Sequence, residues 1–211
     1  MNATSTTERP DTGVEGNSRL TAVNGTLLIV LFAVEGVSIL NIGRLISLHI
    51  FLGVLLVGPV LLKTATTGYR FVRYYTGARP YRRKGPPHPV LRMIGPVVVA
   101  ASLAVLGTGI GLIATGPDHR GPLLTLHQGA FIVWIVVMSL HVLGHLVEAG
   151  RSTWRELREP RTVPATRRRP VRMAVLVLCL LAGTGLATAL MPAAHSWTSR
   201  TAHDFGQHDD R

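Results

Sequence analysis

The stretch HQGAFIVWIVVMSLHVLGH, residues 127–145, is mostly apolar, yet it carries three histidines. About 20 apolar residues form a helix that crosses the roughly 30 Å hydrocarbon layer of a membrane. Ionisable side chains are costly inside that layer, and those found there usually have a function. The stretch therefore predicts a membrane-spanning helix that carries a functional site.

Long apolar runs recur along the whole 211-residue chain. Because backbone groups inside a bilayer must hydrogen-bond within their own segment, such runs predict α-helices. We expect an all-α integral membrane helix bundle at 21–192, with about five transmembrane helices. The polar segments 1–20 and 193–211 predict disordered tails, because neither has an apolar core to join. The five predicted spans are 23–41, 45–66, 90–115, 123–147 and 172–191.

The net charge of +11 is concentrated in two segments. Of the 22 basic residues, seven lie in 68–92 and eight in 151–172, and both segments flank apolar runs. This distribution is the positive-inside pattern of membrane proteins rather than a nucleic-acid-binding patch. It predicts a multi-pass protein of the cell membrane, in contact with the lipid bilayer and without a nucleic-acid partner. The N-terminus and the loops 67–89 and 148–171 are expected in the cytoplasm, and the C-terminus outside.

The histidines of the fourth span lie on one stripe of its helix. An α-helix turns about 100° per residue, so His141 and His145 share the face of His127. His49 lies at the outer end of the second span, which runs in the same direction as the fourth. His49 and His127 should therefore lie at similar depth on parallel helices. Two imidazoles so placed are suited to bind one haem iron from opposite sides.

A second site is less well defined. In a symmetric two-haem bundle, the partner of His141 would lie 14 residues after His49, and that position is Lys63. Lys63 either ligates a second iron or extends to the cytoplasmic interface. In the second case an iron bound to His141 would take an unidentified sixth ligand or stay five-coordinate. The sequence leaves open whether one haem b or two are bound. For His145 it leaves open a bond to a haem propionate, contact with lipid head groups, and proton transfer to a quinone.

Three further polar residues fit this interpretation. Arg44 and Arg120 are the basic residues on the outer side that could meet haem propionates. Glu35 is the only acid well inside an apolar segment. It is a candidate for a proton path, for pairing with a histidine and for substrate binding.

Two segments carry a resemblance to a known family. Residues 48–87, LHIFLGVLLVGPVLLKTATTGYRFVRYYTGARPYRRKGPP, and 121–145, GPLLTLHQGAFIVWIVVMSLHVLGH, resemble an actinobacterial family of small multi-span membrane proteins. The wider similarity is to membrane cytochromes b with a four-helix haem-binding core, in which histidines spaced like His127 and His141 ligate haem. The resemblance covers roughly 45–148 and departs from the pattern at Lys63. It implies electron transfer, to or from quinone or a partner oxidoreductase, by a subunit rather than a stand-alone enzyme.

Two other functions remain open. A haem-free transporter would move protons or metal ions past Glu35, Lys63, His141 and His145. A structural or metal-binding subunit would use the i, i+4 pair His141 and His145, although zinc also needs further ligands and no acid or cysteine lies beside them at the same depth.

Overall fold

The computed structural model describes residues 12–83, 89–158 and 168–209. These residues form helices, turns and short connections, and they contain no strand. Five helical segments are long and apolar enough to cross a membrane. The predicted all-α membrane fold is therefore confirmed, together with the number of spans.

The described residues form seven α-helices. The second span consists of two helices that meet at Leu56, and Pro117–His119 form a short 3-10 turn between the third and fourth spans. The bounds are α1 Thr12–Leu40, α2 Ile42–Leu55, α3 Val57–Tyr75, α4 Arg79–Arg83, α5 Pro89–Thr115, α6 Gly121–Arg158 and α7 Arg169–Asp209.

The junction of α2 and α3 is where α7 packs most closely. Pro59 has no N–H, so the carbonyl of Leu55 lacks its partner within the helix. That carbonyl lies against Gly183 of α7, where an added Cβ would be only 2.5 Å from the oxygen. The reciprocal contact joins Gly58 to the carbonyl of Cys179, at 2.7 Å from an added Cβ. Small residues thus let two membrane helices approach through their backbones.

The interior of the bundle holds two apolar clusters. One joins Val54, Ile113, Ala187 and Ala194, from α2, α5 and α7. The other joins Leu28 of α1, Leu56 at the junction of α2 and α3, and Val60 of α3. Large apolar side chains elsewhere on the spanning helices are exposed, as a lipid-facing surface requires. The chain is a multi-pass membrane protein.

Both predicted tails differ from the structure in part. At the N-terminal end, α1 already begins at Thr12, and Asn17 Nδ2 donates to the carbonyl of Thr66 at 3.2 Å. At the other end, α7 continues to Asp209. Ala194 is fully buried, and Trp197 Nε1 donates to the carbonyl of Leu112 at 3.1 Å. Contacts across the bundle extend these helices beyond their apolar runs. Residues 1–11 and 210–211 lie outside the described part of the chain.

Helices α1, α2, α5 and α6 line a cavity of about 510 Å³, called the large cavity below. Helix α7 packs mainly on α2 and α3, and its Trp197 reaches the cavity wall. The first four spans thus form a four-helix core around a cavity, and the fifth supports one side of it.

Candidate functional site

Two histidines meet at the large cavity. His49 of α2 and His127 of α6 both line it, with ring centres 6.4 Å apart and ring planes at 80° to each other. The predicted pairing of these residues at one depth on two helices is therefore present in the structure. The other walls are mostly aliphatic and aromatic.

The Nδ1 atom of His49 is held by α1. Glu35 Oε1 lies 2.8 Å from it, and Ser38 Oγ lies 3.2 Å from it. A carboxylate only accepts hydrogen bonds, and the Ser38 hydroxyl donates its single hydrogen to the Glu35 carbonyl at 2.6 Å. The hydrogen-bond network therefore assigns a proton to Nδ1 of His49.

The Nδ1 atom of His127 is held by α5. Thr108 Oγ1 lies 3.0 Å from it, and the same hydroxyl donates to the carbonyl of Ala104 at 2.6 Å. Because the shortest bond of the Thr108 hydroxyl is to that carbonyl, the network assigns the donor role to His127 Nδ1. Gly109 makes room for the ring, since a Cβ at that position would be 3.3 Å from His127 Cε1.

These bonds fix the orientation of both imidazoles. With Nδ1 protonated and bound to a neighbouring helix, the lone pair of a neutral imidazole is on Nε2, the nitrogen left for the cavity. Histidines that bind metal commonly donate their other N–H to a carboxylate, carbonyl or hydroxyl in this way. His49 and His127 thus have the form of metal ligands. In the part of the chain that the structure describes, no three His, Cys, Asp or Glu side chains cluster closely enough to hold a metal ion by themselves.

An aromatic layer, formed by Phe32, Phe131 and Trp134, bounds one side of the cavity. The rings of Phe32 and Trp134 meet edge to face with centres 4.7 Å apart, and Phe131 stacks on Trp134. Trp134 Nε1 donates to Ser102 Oγ at 3.0 Å in the buried interior. The layer packs α1, α5 and α6 together and gives the site a rigid wall.

Lys63 and His141 lie beyond this layer. They line a second cavity of about 100 Å³, with Phe32 and Ser102 on the wall shared by both cavities. Lys63 Nζ donates to the carbonyl of Thr21 at 2.8 Å. The amine is therefore hydrogen-bonded to the backbone of α1.

Of the other residues predicted to contact the haem, Arg44 and Arg120 are exposed and are not among those that line the large cavity. The side chain of His145 lies outside the described residues. Glu35, a candidate for a proton path, pairs with His49, which was one of the alternatives that the sequence left open.

Three residues of the site were not found from the sequence. Ser38 follows Glu35 by one helical turn, a spacing that places both on one face and could have drawn attention to it. Thr108 and Gly109 lie in the run GTGIG, whose small residues fit the close approach of a flat cofactor as well as ordinary helix packing. Only the position of α6 beside α5 shows that they contact His127.

Comparison with known proteins gives no match to a family model, a curated protein or a solved structure.

Proposed function

We propose that this protein is a membrane b-type cytochrome that binds haem between His49 and His127 and transfers electrons. The observation that carries the proposal is the orientation of the two imidazoles. They line one apolar cavity from two helices, and each is bound through Nδ1 so that Nε2 is available.

The dimensions of the site fit a bis-histidine haem. A metal–imidazole bond is about 2.0–2.1 Å long, so two imidazoles on opposite sides of one metal have ring centres about 6–6.5 Å apart. The separation between His49 and His127 is 6.4 Å. The cavity of about 510 Å³ is also within the range of about 300–1,000 Å³ that small-molecule and cofactor sites occupy.

The donor set favours electron transfer over substrate chemistry. Haem supplies a one-electron couple when bound, and its potential depends on the axial ligands, burial and nearby hydrogen bonds. Here His49 and His127 would both hold the iron, which suits electron exchange better than binding of oxygen or a substrate. The aromatic layer with Phe32 and Trp134 gives one side of the site an apolar wall.

A single haem is the stoichiometry that the cavities support. The space beside Lys63 and His141, at about 100 Å³, is below the usual size of a cofactor site. The amine of Lys63 is also engaged by the carbonyl of Thr21. We therefore assign haem b to the His49–His127 cavity alone.

The positive-inside rule orients the proposed cytochrome. It places the N-terminus and the loops 67–89 and 148–171 in the cytoplasm, and the haem nearer the outer surface of the cell membrane. Exposed Tyr69 and Tyr75 on α3 suit the interfacial belt at the cytoplasmic side. A quinone or a partner oxidoreductase would exchange electrons with the site, and Arg44 and Arg120, exposed at its outer end, would attract haem propionates.

The first test is an absorption spectrum of the purified protein with a haem-to-protein ratio. We expect about one haem per chain and a sharp α-band on reduction. His49→Ala and His127→Ala should each abolish the band, whereas His119→Ala, at an exposed position on the 3-10 turn, should keep it. Colourless protein from haem-sufficient cells would refute the proposal.

A haem-free proton or metal transporter is the second candidate. The observation in its favour is that Lys63 and His141, polar residues of two different spans, line one small cavity. Flux of protons or metal ions through haem-free protein in liposomes, lost on Lys63→Met, would support this function instead.

A further inference from the structure

The two imidazoles of the site have unequal partners. His49 donates Nδ1–H to the carboxylate of Glu35, and His127 donates Nδ1–H to the neutral hydroxyl of Thr108. A negative charge therefore lies one hydrogen bond away from one ligand nitrogen and is absent from the corresponding position at the other.

The carboxylate is held firmly in this position. The side chain of Glu35 is only 13 % exposed, and that of His49 is 22 % exposed. Ser38, which is fully buried, lies 3.3 Å from Glu35 Oε2 and 3.2 Å from His49 Nδ1. Gly53, one turn after His49, leaves room for the carboxylate, since an added Cβ would lie 3.6 Å from Oε1. The hydrogen bond from His49 on α2 thus holds the carboxylate of α1 in place.

We infer that Glu35 is a positioning residue that orients His49 and lowers the reduction potential of the haem. This inference rests on the proposed function. A carboxylate that accepts Nδ1–H makes the imidazole a more basic ligand. A more basic ligand and a nearby negative charge both stabilise ferric over ferrous iron, because the ferric site carries one more positive charge.

Burial makes this effect large enough to measure. An interaction between charges is much stronger in a partly dry interior than in water, because the effective dielectric constant is lower. The cavity wall beside Glu35 is apolar, with Ile39 and Ile46 among its residues. Thr108 can orient His127 through its hydroxyl but adds no charge, so the asymmetry of the site assigns control of the potential to Glu35.

The test is a reductive titration of the haem-loaded protein and its Glu35→Gln variant at one pH. The glutamine oxygen can still accept the His49 hydrogen bond, so this substitution removes the charge with little change in shape. We expect the equilibrium constant that favours ferric over ferrous iron to fall at least tenfold. For a one-electron couple this raises the midpoint potential by at least about 59 mV. Asp118→Asn, which removes an exposed carboxylate from the 3-10 turn, is the matched control and should shift the potential much less.

The outcomes separate this inference from the proposed function. Haem-free wild-type protein refutes the proposed function itself. Haem-loaded Glu35→Gln with an unchanged potential overturns the inference and leaves the cytochrome assignment in place. Should Glu35→Gln lose the haem, Glu35→Asp decides: haem retained by the aspartate variant supports the role of the charge, and haem lost from both variants overturns it.

Discussion

His49 and His127 face one cavity from α2 and α6 with their ring planes at 80° to each other. Each plane is fixed by a hydrogen bond from Nδ1 to a different neighbouring helix, α1 for His49 and α5 for His127. The packing of four helices therefore determines the relative orientation of the two rings.

Nearly perpendicular imidazole planes should be visible in the electron paramagnetic resonance spectrum of the oxidised protein. Low-spin ferric haem with perpendicular axial imidazoles gives a more anisotropic signal than haem with parallel ones. We expect the strongly anisotropic type from haem bound by His49 and His127. A rhombic signal typical of parallel planes would contradict the observed ring geometry.

Gly109 should be required for haem binding because it accommodates the His127 ring. A Cβ there would lie 3.3 Å from His127 Cε1, so the larger side chain of Gly109→Val would displace the imidazole. We expect at least about a tenfold loss of haem affinity, comparable with the loss of a residue that orients a metal ligand. Haem transfer to a competing apoprotein measures this. Gly107→Val, in open space on the same helix, is the control, and equal affinities of the two variants would show that Gly109 has no such role.

Thr108→Val should weaken haem binding by removing the acceptor of His127 Nδ1–H. Outer partners of metal-bound histidines typically contribute about 10–100-fold to affinity. The matched control is Thr115→Val, since Thr115 is exposed on the same helix and its hydroxyl bonds only the carbonyl of Gly111 among the contacts described. A haem titration of both variants compares them. If the Thr108→Val variant binds haem as tightly as the control, the hydroxyl has no orienting role.

His141→Ala should retain the haem spectrum if the large cavity holds the single haem. His141 lines only the small cavity, on the far side of the Phe32–Trp134 layer. The expected result is an unchanged α-band and an unchanged ratio of about one haem per chain. Loss of half the haem from a preparation that begins with two per chain would instead place a second haem at His141.

Gly183→Ala should destabilise the bundle, whereas Gly185→Ala should not. The added Cβ at Gly183 would be 2.5 Å from the Leu55 carbonyl oxygen, but nothing lies within 4 Å of one at Gly185. Overpacking of this kind costs about 1–3 kcal/mol. In contrast, alanine in an open helix position stabilises it by roughly 0.5–1 kcal/mol relative to glycine. Thermal unfolding in detergent should therefore shift in opposite directions for the two variants, and a stable Gly183→Ala protein would contradict the close contact of α2 and α7.

Much of the fold could be predicted because hydropathy and backbone hydrogen bonding act locally. An apolar run of about 20 residues has few alternatives to a helix inside a bilayer, so five runs gave five spans. The alignment of His49 with His127 also followed from local facts, since the direction of each span and the depth of each residue along it determine which residues share a level.

The sequence by itself thus determined the helical class, the spans and the two histidines that meet. Tertiary packing alone decided the rest, because it depends on how each helix is rotated about its axis and on which neighbour it contacts. That rotation brings Glu35 and Thr108 to the two imidazoles and Lys63 to the carbonyl of Thr21. Helix α7 also continues past its apolar run, where Ala194 is buried against α2 and α5. These contacts join residues far apart in the chain, and a pattern of spacing along one helix carries no information about them.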